Sequence, residues 1–264
     1  MSRNWNELIR AQWQAKRFLC VGLDPDLEKI PSHISGNSPR ERIVAFNKAI
    51  VEATKDIAGF YKPNSAFYEV HGAEGWMALK ETVEYIHGQA PDVPVILDAK
   101  RGDLENTNES YAKAIFDELN VDAVTIHPYI GAEAARPFLN RKDKGVIVLC
   151  RTSNPGAGEF QDLEVDGTSL YLKVAKNVVS TWNANGNCAL VVGATYPEEI
   201  EKVRAIAPDM PLLIPGTGTQ GGDLKKSVAA AKSSFILSTS RAIIYADDIR
   251  ASAQEYDSAI RKAL

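Results

Sequence analysis

One short stretch of the sequence places charged side chains inside an apolar run. Asp98 and Lys100 end the run that begins at Val93, and Asp103 follows three residues after Lys100. Residues two apart on a strand point to the same face, so we expect Asp98 and Lys100 to lie side by side. A carboxylate beside an ammonium group can help to move a proton or stabilise charge that develops on a reacting molecule. The alternative is a salt bridge that closes the fold and does no chemistry.

A second lysine favours the chemical interpretation. Lys62 lies in the preceding apolar run. Because consecutive strands of a barrel are neighbours, Lys62, Asp98, Lys100 and Asp103 are expected to meet in one small volume. Unit charges about 4 Å apart interact by ~4 kcal/mol at an effective dielectric constant of ~20. Such a concentration of charge predicts a functional site.

A glycine-rich segment and an arginine predict a phosphate site. The segment Pro215-Gly-Thr-Gly-Thr-Gln220-Gly-Gly follows the seventh apolar run, and Ser240-Arg241 follows the eighth. Glycines let backbone N–H groups approach an anion, while Gln220 adds an amide donor and Arg241 a cation. Phosphate sites recur at these two loops in barrels. The alternative for the glycine-rich segment is a flexible connector.

The sequence predicts neither a metal centre nor a nucleophile. His127 follows the fourth apolar run, but no His, Asp or Glu cluster on one element has the spacing of metal ligands. Cys20, Cys150 and Cys188 lie within apolar runs, where buried structural thiols are expected. Such cysteine usage is typical of a reducing compartment.

Short apolar runs rich in β-forming residues punctuate the chain and position these side chains. Their polarity is continuous rather than alternating, which is typical of strands covered on both faces. Charged and polar residues gather at their carboxyl ends, where barrel enzymes build their sites. The eight predicted strands are Phe18–Asp24, Gly59–Tyr68, Val93–Lys100, Ala123–Pro128, Gly145–Ser153, Cys188–Ala194, Pro211–Gly216 and Ser234–Ser240.

Segments with helical periodicity separate these strands. The clearest begins at Ser38-Pro39-Arg40-Glu41, a capping box with proline at the first helical position. The others are Asn4–Lys16, Glu74–His87, Asn108–Leu119, Ala132–Leu139, Thr168–Trp182, Pro197–Ala207, Gly222–Lys232 and Asp247–Leu264. Strands that alternate with helices predict an α/β fold, a (β/α)₈ TIM barrel formed by residues 1–264 as a single domain, with an extra N-terminal helix. A doubly wound open sheet is the alternative.

Composition narrows the class of partner. The 264 residues are 45% hydrophobic and 24% charged, with a formal net charge of −4. The acidic balance argues against binding to nucleic acid, and no apolar stretch has the length of a membrane span. The first sixteen residues contain no signal-peptide core. We therefore expect a cytoplasmic protein.

These motifs resemble those of the orotidine 5′-phosphate decarboxylases, over nearly the whole chain and in the same order. The pattern Asp98-x-Lys100-x-x-Asp103 followed by Asn106-Thr107 is similar to the family signature. The phrases Tyr61-Lys62-Pro63-Asn64 and Asp98-Ala-Lys-Arg-Gly-Asp103 are similar to the longer bacterial branch. Leu104-Glu105 departs from it, since many members have isoleucine and a small residue there. Further matching blocks are Leu-Asp24, Arg-Thr-Ser153-Asn-Pro-Gly, Pro215-Gly-Thr-Gly-Thr-Gln220-Gly-Gly and Ser-Arg241-Ala-Ile-Ile-Tyr.

The resemblance implies decarboxylation of orotidine 5′-phosphate to UMP and CO₂ without a cofactor, the last step of de novo UMP synthesis. It implies that Lys100 delivers a proton to C6, that Asp98 lies beside the departing carboxylate, and that Lys62 and Asp103 complete a charged array. The implied substrate contacts are Asp24 and Lys62 with the ribose, Ser153 with the pyrimidine, and Gln220 and Arg241 with the phosphate. Pro215, Ser240 and Thr107 complete the expected substrate-binding set.

The resemblance also implies a homodimer in which Asp103 and Thr107 serve the neighbouring subunit's site. Two other functions stay open. A Mg²⁺-dependent sugar-phosphate aldolase or epimerase of the same barrel superfamily carries a similar Asp-x-Lys-x-x-Asp motif, but such relatives generally lack a counterpart of Lys62. A non-catalytic nucleotide-binding barrel would be expected to have lost some of the four charged residues.

Overall fold

A computed structural model describes residues 3–216 and 223–264. Within these ranges, eight parallel strands form the main sheet, and all of them are largely buried except the third, in which half of the residues are partly or fully exposed. The strands, numbered in chain order for the barrel alone, are β1 (Leu19–Leu23), β2 (Phe60–Pro63), β3 (Ile96–Arg101), β4 (Ala123–Ile126), β5 (Gly145–Arg151), β6 (Cys188–Val192), β7 (Leu212–Pro215) and β8 (Phe235–Thr239).

The sheet closes on itself, which confirms the TIM barrel and excludes the open sheet. β1 pairs in parallel with both β2 and β8, so the first and last strands are neighbours. The remaining gap, between β2 and β3, is bridged in parallel at Tyr61–Val95 and Asn64–Asp98. Closure brings the carboxyl ends of all eight strands around one rim.

Helices surround the barrel and follow the strands along the chain. Two of the described helices end in π-helical turns, at Lys113–Glu118 after α5 and at Val178–Trp182 after α8. The α-helices are α1 (Trp5–Gln14), α2 (Pro39–Thr54), α3 (Ala66–Glu69), α4 (Gly72–Gln89), α5 (Glu105–Ala112), α6 (Ala132–Leu139), α7 (Gly158–Gln161), α8 (Leu170–Asn177), α9 (Pro197–Ile206), α10 (Leu224–Ala231), α11 (Arg241–Ile244) and α12 (Ile249–Ala263). In the described part of the chain, no helix combines the length and the apolar character that a membrane span requires.

The predicted extra helix, α1, packs against the side chains that fill the interior of the barrel. Trp5 and Ile9 belong to a small buried cluster whose other members include one or two residues from each of the eight strands. A β-carbon added to Gly145 would lie 2.6 Å from the ring of Trp5, so the glycine makes room for the indole. A much larger cluster lies between the strands and the surrounding helices. The residues in contact with Trp5 therefore form the inner of two hydrophobic layers.

Two predicted element boundaries are wrong for identifiable reasons. The second strand was expected to reach Tyr68, but it ends at Pro63, because the side chain of Asn64 accepts a hydrogen bond from the N–H of Ala66 and turns the chain into α3. The helix expected from Thr168 begins at Leu170. Thr168–Ser169 instead pairs with Glu164–Val165 in a hairpin.

Candidate active site

The predicted site residues lie at the carboxyl-terminal rim of the barrel, except where stated below. Asp24 directly follows β1, Lys62 is in β2, and Asp98 and Lys100 are in β3. Ser153 follows β5, while Ser240 separates β8 from α11, which begins at Arg241. Side chains that are up to 217 residues apart in the sequence therefore lie on the same rim.

The carboxylate of Asp98 is the centre of a charged network. Its Oδ2 accepts a hydrogen bond from Nζ of Lys62 at 3.2 Å, and its Oδ1 accepts one from Nζ of Lys100 at 2.7 Å. The hydroxyl of Thr125, on β4, also donates to Oδ1, at 2.8 Å. Lys62 is only 5% exposed, whereas the side chain of Lys100 is 49% exposed. One carboxylate is therefore held between a buried and an accessible ammonium group.

These charges keep one another ionised. Burial alone would raise the pKa of Asp98, but the charges of Lys62 and Lys100 outweigh it and hold the pKa far below its usual value. Burial alone would lower the pKa of Lys62, and the charges of Asp98 and Asp24 raise it above its usual value instead. Both groups are therefore charged at neutral pH.

Lys100 does not reach this position by regular strand alternation. It has φ +46°, a left-handed conformation that costs energy for a residue with a side chain. The register between β3 and β4 shifts at the same place, so that the four-residue step from Leu97 to Arg101 matches the two-residue step from Val124 to Ile126. A bulge in β3 thus aims Lys100 at the rim.

Thr125 was missed by the sequence analysis. Besides donating to Asp98, its Oγ1 accepts a hydrogen bond from the backbone N–H of Lys100 at 3.0 Å. The only signal was a hydroxyl in the otherwise apolar β4, which also fits an ordinary buried threonine.

Asp24 and Ser240 present polar atoms without partners among the described residues. Oδ1 of Asp24 and Oγ of Ser240 are both buried, and neither forms a hydrogen bond within residues 3–216 and 223–264. A β-carbon added to Gly22 would lie 2.5 Å from Cβ of Ser240, so glycine allows β1 to approach this side chain. A buried polar atom left without a partner is costly. A ligand hydroxyl could donate to Oδ1 of Asp24, and a ligand hydroxyl or phosphate oxygen could accept from Oγ of Ser240.

Asp103 does not join the charged network within the chain. In the described ranges its carboxylate accepts from the N–H of Leu104 at 2.7 Å and forms no ion pair with Lys62 or Lys100. The side chain of Asn108 binds both backbone groups of Asp103, since it accepts from the N–H and donates to the carbonyl oxygen. The expected meeting of four charged groups is therefore a meeting of three.

Ser153 begins a loop that is fastened at both ends. Arg151, the last residue of β5, is buried and forms ion pairs with Asp162 at 3.0 Å and Glu199 at 3.2 Å. The side chain of Gln161 accepts from the backbone N–H of Thr152 at 2.8 Å. Arg151 therefore joins the start of the loop to its end and to α9, a role that the sequence analysis did not assign.

The predicted phosphate site is only partly within the described residues. Pro215 ends β7, and Gly216 follows with φ +99°. Gln220 and the rest of 217–222 lie outside the described residues. Gly222, the predicted start of the next helix, lies outside them as well, and α10 begins at Leu224.

The remaining candidate groups have structural contacts. Nε2 of His127 lies 3.1 Å from the carbonyl oxygen of Gly102, and its ring occupies the space that a β-carbon on Gly102 would need. Cys20, Cys150 and Cys188 are buried and free, as predicted. Burial raises the pKa of each thiol to about 12, which suppresses nucleophilic reactivity. Among the residues that the structure describes, no three His, Cys, Asp or Glu side chains are grouped to hold a metal ion.

Comparisons with known proteins agree on one family. The family model described as orotidine 5′-phosphate decarboxylase / HUMPS family matches residues 17–256. An orotidine 5′-phosphate decarboxylase of Herpetosiphon aurantiacus is 52% identical over 231 residues, which cover 86% of this chain and 84% of that protein. The structure of Leishmania donovani OMP decarboxylase superposes with a TM-score of 0.89 at 38% identity, covering 98% of both chains. Leishmania donovani UMP synthase gives 0.91 at 40% identity, and there the match covers 99% of this chain but 56% of the other. The chain belongs to the orotidine 5′-phosphate decarboxylase / HUMPS family.

Proposed function

We propose that this protein decarboxylates orotidine 5′-phosphate to UMP and CO₂, the last step of de novo pyrimidine nucleotide synthesis. The observation that carries the proposal is the carboxylate of Asp98, held between the buried Lys62 and the accessible Lys100 at the open rim. The relatives named orotidine 5′-phosphate decarboxylase support it, with 52% identity in the case of Herpetosiphon aurantiacus.

Lys100 carries the chemical step in this proposal. When the bond between C6 and the carboxylate breaks, CO₂ leaves and the electron pair remains on C6. An ammonium group fixed beside that carbon stabilises the developing negative charge and then transfers a proton to it. Lys100 is the accessible lysine of the network, which suits this role.

Asp98 contributes through its fixed negative charge. A substrate carboxylate placed beside it would be repelled, and loss of CO₂ relieves that repulsion. The low pKa of Asp98 keeps it ionised, so the repulsion persists at neutral pH. Lys62 offsets the negative charge of Asp98, and its hydrogen bond to Oδ2 restrains the orientation of the Asp98 carboxylate.

The other rim residues bind the nucleotide. Asp24 and Lys62 are assigned to the ribose, and Oδ1 of Asp24, which has no hydrogen-bond partner within 3–216 and 223–264, supplies an acceptor for a hydroxyl. Ser153 is assigned to the pyrimidine, and Arg241 with Gln220 to the phosphate, with Pro215 and Ser240 alongside. Binding energy from the phosphate then supports chemistry at a distant carbon.

A homodimer completes the site in this proposal. Asp103 and Thr107 would serve the partner's site, which agrees with the separation of Asp103 from the network of its own chain. Exposed apolar side chains next to this segment support a surface that the partner subunit covers, since Leu104 is 63% exposed and Tyr129 is 92% exposed.

The proposed location is the cytoplasm, which suits three free buried thiols and is tested by fractionating the source cells.

The decisive experiment is loss of the ultraviolet absorbance of orotidine 5′-phosphate when purified protein is added. We expect turnover that survives treatment with EDTA, because the proposed chemistry uses the chain's own charges. The Lys100→Ala variant should lose at least about 10³-fold in kcat, since it lacks both the proton donor and the fixed charge. The Lys113→Ala variant, which removes an exposed lysine paired with Glu109, is the matched control.

Each alternative predicts a different result. Activity lost with EDTA and restored by Mg²⁺ would contradict cofactor-free decarboxylation, the point on which the proposal differs from the Mg²⁺-dependent aldolase. Binding of UMP without turnover would favour a nucleotide-binding barrel. Decarboxylation at the normal rate by Lys100→Ala would remove the assignment of the proton donor.

A further inference from the structure

The bulge in β3 leaves one backbone N–H group bonded to a side chain of the neighbouring strand. Between the Leu97 and Arg101 pairings, β3 contains two more residues than β4 does. The N–H of Lys100 lies in this bulge and donates to the hydroxyl of Thr125, at 3.0 Å, rather than to a carbonyl of β4. Thr125 is 1% exposed, so water has little access to that hydroxyl.

The same hydroxyl also restrains the carboxylate of Asp98. It donates to Oδ1 at 2.8 Å, the oxygen that accepts from Nζ of Lys100. An ionised carboxylate only accepts and a backbone N–H only donates, so the direction of both hydrogen bonds is fixed. Thr125 therefore links the side chain of Asp98 to the backbone of Lys100.

We propose that Thr125 is a positioning residue, which sets the orientation of Asp98 and the left-handed backbone of Lys100 for the decarboxylation. Without the hydroxyl, Oδ1 would keep only the exposed Lys100 ammonium as donor, and the carboxylate would be held from its own side of the network by Lys62 at Oδ2 alone. The N–H of Lys100 would also lose the partner that supports its φ of +46°. This inference rests on the proposed function.

The test compares Thr125→Val, which keeps the shape of the side chain, with Thr125→Ser, which keeps the hydroxyl. We expect kcat for Thr125→Val to fall on the order of 10- to 100-fold, the effect of losing well-oriented hydrogen bonds in a buried site. The dissociation constant for UMP should stay within about threefold, because ribose and phosphate contacts do not involve Thr125. Thr125→Ser should recover most of the lost kcat.

Thr82→Val is the matched control for loss of a buried hydroxyl. Oγ1 of Thr82 also has two partners, since it donates to the carbonyl of Ala78 and accepts from the side chain of Asn47. It lies in α4, outside the rim. We expect this variant to lower the melting temperature and leave kcat within about twofold.

Several results would overturn the inference. One is a Thr125→Val kcat within twofold of the unmodified protein, and another is a Thr125→Ser variant no better than Thr125→Val. An equal loss of kcat in Thr82→Val would reduce the effect to general destabilisation. If Thr125→Val does not fold, Thr125→Ala is judged by the same criteria. An inactive unmodified protein would overturn the proposed function together with this inference, whereas an active one isolates the role of Thr125.

Discussion

At the scale of single residues, the network depends on balanced charges in a buried place. The carboxylate of Asp98 would be protonated readily if burial acted alone, and it is kept ionised chiefly by Lys62 and then by Lys100. Lys62 is the partner that has least contact with water, so its charge is least screened. It follows that Lys62 governs the protonation of Asp98.

Replacement of Lys62 by methionine should raise the pKa of Asp98. Loss of a neighbouring positive charge favours the neutral acid. Burial raises the pKa of Asp98, and after the replacement only one of the two lysine charges that lower it, that of Lys100, remains. The carboxyl carbon shift of Asp98 in labelled protein, titrated by NMR and assigned with Asp98→Asn, measures the change. Lys55→Met, which removes an exposed lysine paired with Glu52, should leave the titration unchanged.

The sign of the stability effect follows from the same shift. A carboxyl group whose pKa is lowered by folding stabilises the protein above its unfolded pKa of about 3.9, and this contribution is lost as the pH falls through the folded pKa. In Lys62→Met the contribution should shrink, so the variant should be less stable at neutral pH and Asp98 should cost it less stability on acidification. An Asp98 titration that does not move would contradict the dominance of Lys62.

At the scale of elements, the loop from Thr152 to Gln161 is shaped by the strand and helix beside it. The guanidinium of Arg151 bonds to the carbonyl of Thr152 and to Asp162, and it also pairs with Glu199 in α9. Burial raises the pKa of Glu199, while the charge of Arg151 opposes that rise. One side chain therefore fixes where Ser153 lies.

Arg151→Met should weaken substrate binding more than it slows the chemical step. With the loop released, Ser153 loses its fixed position, and we expect KM to rise by about 10-fold, with a smaller change in kcat. Steady-state kinetics with orotidine 5′-phosphate measures both. Arg151→Lys should give an intermediate KM, since it keeps the charge and loses the forked contacts.

The matched control for the loop is Arg141→Met. Arg141 forms a two-pronged ion pair with Asp117 at the surface. Its removal should leave KM unchanged, because exposed pairs contribute little and this one lies away from the loop. Equal KM values for Arg151→Met and the unmodified protein would show that the ion pairs do not position Ser153.

Element-scale contacts also explain what the sequence could and could not predict. Continuous apolar runs predicted the eight strands, because a strand buried on both faces needs no polar alternation. The bulge at Lys100 was not predictable, since it depends on the register with β4, and register is a property of two strands. Thr125 and Arg151 were missed for the same reason, because each acquires its role from partners distant in the chain.

At the scale of the whole molecule, an ion pair ties the N-terminal segment to the barrel. Arg3 donates to both oxygens of Asp122, at 2.8 and 2.9 Å, and Asp122 is 1% exposed. Asp122 also accepts from the N–H of Val95 at 2.7 Å, and Nε2 of His87 lies 3.6 Å from its Oδ2. Burial alone would raise the pKa of Asp122, but His87 and Arg3 outweigh it and hold the pKa below its usual value.

Asp122→Asn should destabilise the protein at neutral pH by roughly 3 kcal/mol, the usual cost of leaving a buried charge without its partner. The difference should begin to shrink below about pH 4, where Asp122 of the unfolded chain becomes protonated, and it should go on shrinking as the pH falls through the lower pKa of the folded protein. Urea unfolding at pH 7 and pH 3.5 measures it. Asp117→Asn, at the exposed pair, should cost about 1 kcal/mol or less. Equal costs for the two variants would contradict the importance of burial.

The proposed dimer makes a quantitative prediction about mixed subunits. If Asp103 serves the partner's site, a subunit with Lys100→Ala still supplies a normal Asp103, and a subunit with Asp103→Asn still supplies a normal Lys100. A dimer of the two therefore has one site with both defects and one site with neither. The Asp103→Asn change is mild for folding, because an amide oxygen can still accept the N–H of Leu104.

Equal amounts of the two inactive variants, unfolded and refolded together, should regain about a quarter of the normal activity. Random pairing makes half of the dimers mixed, and each mixed dimer has one working site of two. Each variant refolded alone is the control and should stay inactive. If Asp103 acted in the site of its own chain, every site in the mixture would carry one defect and no activity would return. The regained fraction therefore decides whether association of two chains is part of the catalytic mechanism.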